Sequence, residues 1–403
     1  MTKSYRIAII NQHTSNFGDD AAGICLIYQL LEQFPSATIE IIYKKKSPNG
    51  DLLPIDDSRV KHRTDLYLNE KDLGAGIAYA ILTRKLFHAI FSKSRVATHV
   101  RELKRMDVVF VSPCGANIGR YKDKLFLFRV LLATKECKKV IFSLNSIGRS
   151  GTFWYDWIAK RVLKKTLNFV REKKSYEDLR AWGIPATLGV DTAFSMPLNL
   201  VNNAKHDNSM QGDYIAFIPT FSLKNWHPDF KNNNLDSQFI SIYSSIASAA
   251  VNNNLRVVII PHLHGTEDET ENLLRAAEEL NKRGVRVTIA DDVMSPISYA
   301  ATLSLAKIIV TMRYHGMVLA ARTSRPFVGI SYENKMLEVA SYCGLPRQVI
   351  RLQDISYEEL EKLINHTIQD FETIADSLHQ SRERLERLSR LPADWLASFS
   401  SQQ

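Results

Sequence analysis

Cysteine is scarce in this chain, and its four copies lie far apart: Cys25, Cys114, Cys137 and Cys343, with no Cys-x-x-Cys pair. That spacing argues against a disulfide frame or a thiolate zinc site and fits buried thiols in a reducing compartment. Long hydrophobic runs are missing too. The most apolar longer stretch, Gly74 to Phe91, is broken by Arg84, Lys85 and His88, so no membrane span is expected. The N-terminus runs directly into a short strand core, Arg6 to Ile10, too short for a signal peptide. A cytoplasmic protein is expected. No Gly-x-Gly-x-x-Gly fingerprint follows the first strand, which argues against a dinucleotide cofactor. The basic residues are spread out rather than massed on one motif, so no nucleic-acid partner is expected. No internal repeat or low-complexity segment stands out.

What is present is a chain of 403 residues, 45% hydrophobic and 24% charged, long enough for two domains with full cores. Its formal net charge of +9 favours anionic partners: phosphorylated metabolites, nucleotide sugars, acidic glycans or a membrane surface. Strands and helices alternate. Tyr5 to Asn11 reads as a first strand, followed by the loop Gln12 to Asp20 and a helix from Ala21 to Gln33. Strands follow at Thr38 to Tyr43, Met106 to Ser112, Lys139 to Leu144 and Leu167 to Val170, with residues 60 to 105 mostly helical in pattern. Residues 197 to 212 are polar, turn-rich and aperiodic, the expected linker. A second set begins at Tyr214 to Pro219 and continues through strands at Arg256 to Pro261, Val285 to Ala290, Ile308 to Val310 and Phe327 to Ser331. Ser356-x-x-Glu359 is a capping box for a long closing helix, with an apolar face from Leu360 to Leu388. The expected fold is α/β: two Rossmann-like domains, 1–196 and 213–355, facing a cleft, with 356–403 packing back.

The chemistry concentrates in one stretch. The apolar run Ile308 to Val310 leads into Arg313-Tyr314-His315-Gly316, then a helix, then Pro326 and the strand Phe327 to Ser331, followed by Tyr332, Glu333 and Lys335. In an open α/β sheet, ligands bind outside the carboxyl ends of the strands, and a helix N-terminus there offers N–H groups to an anion. Arg313 supplies a planar fork for a carboxylate or phosphate, and His315 can hold an anion and pass a proton. The bland alternative is a surface turn carrying incidental basic residues.

Arg-Tyr-His-Gly, a helix, a Pro and an apolar strand ending Ser-Tyr-x-x-Lys resemble the C-terminal signature of the polysaccharide pyruvyl transferase family. Asn16-x-Gly18-Asp19-x-Ala21 matches that family's opening motif. Arg171-Glu172-x-x-Ser175 and the aspartate turn Gly189-Val190-Asp191-Thr192-Ala193-Phe194 resemble others. At Pro113 to Asn117 the chain departs from the family's Gly-rich turn. The resemblance implies a GT-B-like fold, phosphoenolpyruvate as donor with no further cofactor, and a sugar acceptor set as a ketal in exopolysaccharide synthesis. A lipid-linked acceptor at the inner face of a membrane is compatible with it.

On that reading His315 is the general acid or phosphate ligand, with a pKa expected to be raised between two anions. Arg171, Arg313, Tyr314, Gly316 and Lys335 form the donor clamp, the two arginines converging from both domains. Asn16, Gly18, Asp19, His262 and His264 stand on the acceptor side. Asp19 or Asp20 is alternatively a helix cap, Arg171 half of an ordinary surface pair with Glu172, and Asp268 a cap for the helix after His264. His262 and His264, two positions apart, could suggest a metal pair, but no metal is expected there. The apolar face Ile77, Ile81, Leu82 and Phe91 either packs on its own domain or touches a membrane. The competing class is a glycosyltransferase using a nucleotide sugar, with Glu333 on the ribose. A third is a non-catalytic scaffold, favoured if Arg313 and His315 are buried and mutually satisfied.

Overall fold

Strand β1 (Arg6–Gln12) is buried at every position but its first, which marks a central strand of a parallel sheet covered on both faces. In the computed structural model, which describes residues 4–401 except 46–51, 83–86, 88–89, 205–212, 222, 224–226, 228–229, 231–233 and 292, this strand is the third of seven. The others are β2 (Thr38–Tyr43), β3 (Val60–His62), β4 (Val108–Val111), β5 (Val140–Asn145), β6 (Leu167–Val170) and β7 (Thr187–Leu188). The order is β3-β2-β1-β4-β5-β6-β7, with every pairing parallel. Strand residues alternate between two cores. Ala8, Ile10, Val109, Val111 and Phe142 face one, and Ile7, Ile9, Val108, Phe110 and Ile141 face the other.

The second sheet has six strands: β8 (Tyr214–Ile218), β9 (Arg256–Ile259), β10 (Val287–Ile289), β11 (Ile308–Thr311), β12 (Phe327–Ser331) and β13 (Val349–Arg351). They run parallel in the order β10-β9-β8-β11-β12-β13. The order reverses between β8 and β11, as it does between β1 and β4 in the first sheet. A crevice at such a reversal is where doubly wound sheets bind ligands. The expected pair of Rossmann-like sheets is present, although the chain divides differently from the expected 1–196 and 213–355. One compact unit comprises 1–14, 22–192 and 387–403; the other comprises 15–21 and 193–386. The end of the loop and the start of the first helix, 15–21, therefore belong with the second unit.

Several local expectations are corrected. The first helix spans Phe17–Gln33, starting four residues before Ala21, because Asn16 Oδ1 accepts the N–H groups of Gly18 and Asp19 at 3.0 and 3.2 Å. Asn16 is the cap, not Asp19 or Asp20. Within 60–105 the described elements include the helices Leu73–Ile81 and Arg95–Leu103, and β3 pairs with β2 ahead of them. Leu82 and Phe91 pack on the first core, whereas Ile77 and Ile81 are exposed. Arg84, Lys85 and His88 lie outside the described residues, as do 205–212 of the expected linker; Leu198–Asn202 of that linker is a short helix. The closing helix is three helices, Tyr357–Gln369, Phe371–Ser389 and Leu391–Ser401. Pro392 at the start of the last favours a fresh helix rather than continuation. Among the described residues no helix is long and apolar enough to cross a membrane.

Candidate functional site

Arg313 stands at the reversal point of the second sheet, one residue past Met312, as the extended N-cap of the helix Tyr314–Arg322 (φ −111°, ψ 131°). Thr311 locks its backbone: Thr311 Oγ1 accepts the Arg313 N–H at 2.9 Å and donates to the Arg313 carbonyl at 3.1 Å. Its guanidinium reaches across to the other side of the reversal. Nε–H donates to the carbonyl of Pro219, just past β8, at 2.9 Å, and Nη2 donates to Glu269 Oε2 at 2.7 Å. These contacts engage two of the five donors an arginine carries.

Glu269 is the organising residue that sequence reasoning missed. It precedes the helix Thr270–Asn281 and is 5% exposed. Its Oε1 accepts the backbone N–H groups of His262 and Leu263 at 2.8 and 3.1 Å while Oε2 holds Arg313. One carboxylate thus ties the end of β9 to the end of β11. In the sequence it sits beside Glu267 and Asp268, and nothing local distinguishes the buried one of the three. Asp268 is not the N-cap, a position held by Glu269 without a side-chain cap; it lies one residue earlier and takes the N–H of Thr270 at 3.1 Å and its hydroxyl at 2.7 Å.

The imidazole of His315 lies in the first turn of the helix Tyr314–Arg322, 6% exposed, near-parallel to His262 at 6.4 Å and edge-on to Tyr314 at 5.0 Å. Gly18 is pressed against it. A Cβ added at Gly18 would stand 2.1 Å from His315 Nδ1 and 2.4 Å from Cγ, so only glycine leaves room for the ring. Gly316 is under the same constraint on its other side, where a Cβ would meet Thr311 Oγ1 at 2.3 Å and Ile218 Cδ1 at 2.8 Å. Tyr314 is buried beneath Lys335, whose Nζ sits 5.4 Å from the ring centroid and pairs with Glu333 at 2.7 Å. The carboxylate proposed for a ribose is therefore engaged by Lys335, with His227 at 3.8 Å.

Segment 15–17 reaches this site by pairing with the end of β9. Ser15 turns the chain with φ +71°, Asn16 bridges Leu263 antiparallel, Phe17 N–H donates to the His262 carbonyl at 3.0 Å, and His264 N–H donates to Ser15 at 3.1 Å. The two histidines diverge, although positions i and i+2 of a regular extended chain would share a face. His262 is buried, its Nδ1 3.0 Å from the Tyr299 hydroxyl, and burial together with the Arg313 charge holds its pKa well below the usual 6.5. It does not face open space, and it is neutral. His264 stacks on Phe17 at 4.4 Å and has Nε2 2.8 Å from Asp20 Oδ2. It borders a cavity of about 560 Å³ whose walls include Phe17, Leu263, Asp268, Asp291 and Met294. Asp19 lies half-buried in the first turn of its helix.

Arg171 belongs to the first unit. It is 2% exposed, so the surface pair with Glu172 does not form; its Nη1 pairs with the fully buried Asp191, and Nε–H donates to Ser146 at 3.2 Å. The Arg171 motif and the aspartate turn are thus two halves of one buried ion pair. Glu172 accepts from the Ser175 hydroxyl at 3.0 Å, and Ser175 in turn takes the Ile147 N–H at 2.9 Å. In the second unit Lys335 stands over the ring of Tyr314, the residue that follows Arg313 in the chain.

Comparison with solved structures gives the fold. A putative UDP-N-acetylglucosamine 2-epimerase from Listeria monocytogenes superposes with a TM-score of 0.65 at 13% identity, over 100% of this chain and 98% of that one. The UDP-GlcNAc 2-epimerase from Neisseria meningitidis, bound to UDP-GlcNAc, gives 0.63 at 11% identity, over 98% and 100%. The enzyme from Methanocaldococcus jannaschii gives 0.53 at 13%, over 89% and 91%. At such identities the likeness speaks for architecture alone, the GT-B-like pair of Rossmann-like domains expected from the sequence. No curated protein matches the sequence. The sequence model of one family does, over residues 16–334, a span that holds the Gly18 contact, Glu269 and the Arg313–His315 turn; the chain belongs to the polysaccharide pyruvyl transferase family.

Proposed function

We propose that the protein transfers the enolpyruvyl group of phosphoenolpyruvate onto two hydroxyls of a glycan sugar, forming a pyruvate ketal and releasing phosphate. The observation that carries the reading is the Arg313–His315 turn: a guanidinium fixed by Glu269 and Pro219, and an imidazole in the first turn of a helix. Phosphoenolpyruvate carries about three negative charges near neutral pH, and such charge is best met by preorganised donors. Arg313 has three N–H groups beyond those bound to Pro219 and Glu269. The first turn of Tyr314–Arg322 has no side-chain cap on its backbone N–H groups, and Lys335 stands over Tyr314.

The reaction requires a proton on the methylene carbon and a nucleophile on the adjacent carbon. In its protonated form His315 is the proposed acid for the first event. The first hydroxyl then adds at the adjacent carbon as its proton passes to a base, the phosphate departs with the electron pair of its C–O bond to leave an oxocarbenium centre, and the second hydroxyl adds there to close the ketal, its proton passing to solvent. His264, oriented by Asp20 beside the 560 Å³ cavity, is the proposed group on the acceptor side, and Phe17 offers that cavity an apolar wall for a sugar ring. Asn16 and Gly18 serve it indirectly, as a cap and as the contact that shapes His315. The donor assignment rests on the second unit alone, since Arg171 already has Asp191 as counter-charge.

The test is direct. The protein is incubated with phosphoenolpyruvate and candidate glycans, and the glycan is weighed by mass spectrometry while phosphate is followed. A gain of one pyruvate ketal, matched by one phosphate and absent with His315→Ala, supports the proposal. Transfer of a glycosyl unit from a nucleotide sugar under the same conditions would replace it.

A further inference from the structure

Tyr155, Ala159, Val162 and Leu163 bury one side of the helix Phe153–Leu163 in the first core, and what that leaves outward is unusual. Phe153 is 87% exposed, Trp154 49% and Trp157 48%, large apolar side chains that a soluble domain ordinarily covers. On a 3.6-residue period Phe153, Trp154, Trp157, Lys160, Arg161 and Lys164 share one face, aromatic in its first turns and cationic in its last. From 149 to 165 the chain has five cations, Arg149, Lys160, Arg161, Lys164 and Lys165, against a single acid, Asp156, which accepts the Ser150 N–H. Cations lie over the rings themselves: Arg161 is 3.7 Å from the Trp157 centroid, and Lys124 of the neighbouring helix is 5.6 Å from that of Trp154.

We propose that this face docks the protein on an anionic phospholipid surface. Aromatic side chains of this kind settle at the headgroup level of a bilayer, and lysines and arginines beside them meet lipid phosphates. The alternatives fit less well. A glycan would stack on an uncovered ring face, and the Trp157 face is occupied by Arg161. A second copy meeting this patch across a two-fold axis would set its cations against identical cations. The inference stands apart from the proposed chemistry, because none of these residues belongs to the second unit, where the donor site is placed.

The full chain is sedimented with vesicles of pure phosphatidylcholine and of phosphatidylcholine containing phosphatidylglycerol, alongside Arg161→Glu/Lys164→Glu and Phe153→Ser/Trp157→Ser. Selective binding to the anionic vesicles is expected, weakened at least tenfold by either pair of substitutions and by high salt. Equal binding to both vesicle types would overturn the proposal, as would unchanged binding of the charge-reversal variant. So would no vesicle binding together with retention on immobilised glycan, or a concentration-dependent dimer that the variants dissociate. Should the aromatic variant unfold, the charge-reversal variant, altered only at exposed positions, decides alone.

Discussion

An arginine proposed to grip a substrate must first be held still, and here a buried glutamate does the holding. Arg313 and Glu269 are both nearly excluded from water, and removing one partner of such a pair leaves the other as an uncompensated charge, at a cost of about 3–5 kcal/mol. Glu269→Gln is therefore expected to lose stability on that order in urea unfolding and to weaken donor binding; wild-type stability would remove Glu269 from its organising role. His315 is different. Its replacement by alanine deletes a ring rather than a charge partner, and transfer is expected to fall by roughly 10²–10⁴-fold with the fold intact by circular dichroism. Gly18→Ala should reproduce part of that loss without touching the imidazole's chemistry, because the new Cβ would occupy the space of His315 Nδ1 and Cγ. An alanine variant with unaltered turnover would mean that the ring position does not matter.

At the scale of elements, the site is a joint among four pieces: the ends of β8, β9 and β11 and the start of the helix Tyr314–Arg322. Gly316 is what lets that helix sit on its strand. With Thr311 Oγ1 and Ile218 Cδ1 both under 3.0 Å from an added Cβ, Gly316→Ala is expected to cost about 1–3 kcal/mol by overpacking, measured as a lowered urea midpoint at unchanged slope. An unshifted midpoint would show that the joint yields easily. Elements of this kind were largely legible in the sequence. The strands leading to the site are apolar runs buried on both faces, and the turn after β11 carries its chemistry in four consecutive residues. What could not be read is of two sorts. Strands β3, β7 and β13 are only two or three residues long and partly exposed, too short for any period to emerge. Glu269 and the pairing of 15–17 with 262–264 are long-range contacts, and no local pattern separates Glu269 from the two acids before it.

For the whole molecule, stability is tied to pH through histidines that folding keeps neutral. His99, buried in the first unit with Nδ1 2.9 Å from the Leu66 carbonyl, has its pKa lowered to about 4, chiefly by burial. The unfolded chain takes that proton near 6.5, so its contribution is complete above that pH and is lost as pH falls from 6.5 through about 4. Between those values the slope from one such group is about 1.4 kcal/mol per pH unit. His262, depressed in the same direction, adds to it in the second unit. Urea unfolding from pH 7 to 4 is expected to show stability falling, and His99→Leu is expected to flatten that fall; an unchanged slope would contradict a neutral buried His99. The two units share a plan, a parallel sheet whose order reverses beside its first strand, but the proposed donor site lies in the second.

The central claim, that the Arg313–His315 turn holds phosphoenolpyruvate, is tested most directly by calorimetric titration of that compound into the wild-type protein and into Arg313→Ala. Saturable binding to the wild type, weakened at least tenfold in the variant while inorganic sulfate fails to compete at equal concentration, is the expected result. Equal affinity for both proteins, or heat from a nucleotide sugar and none from phosphoenolpyruvate, would contradict it.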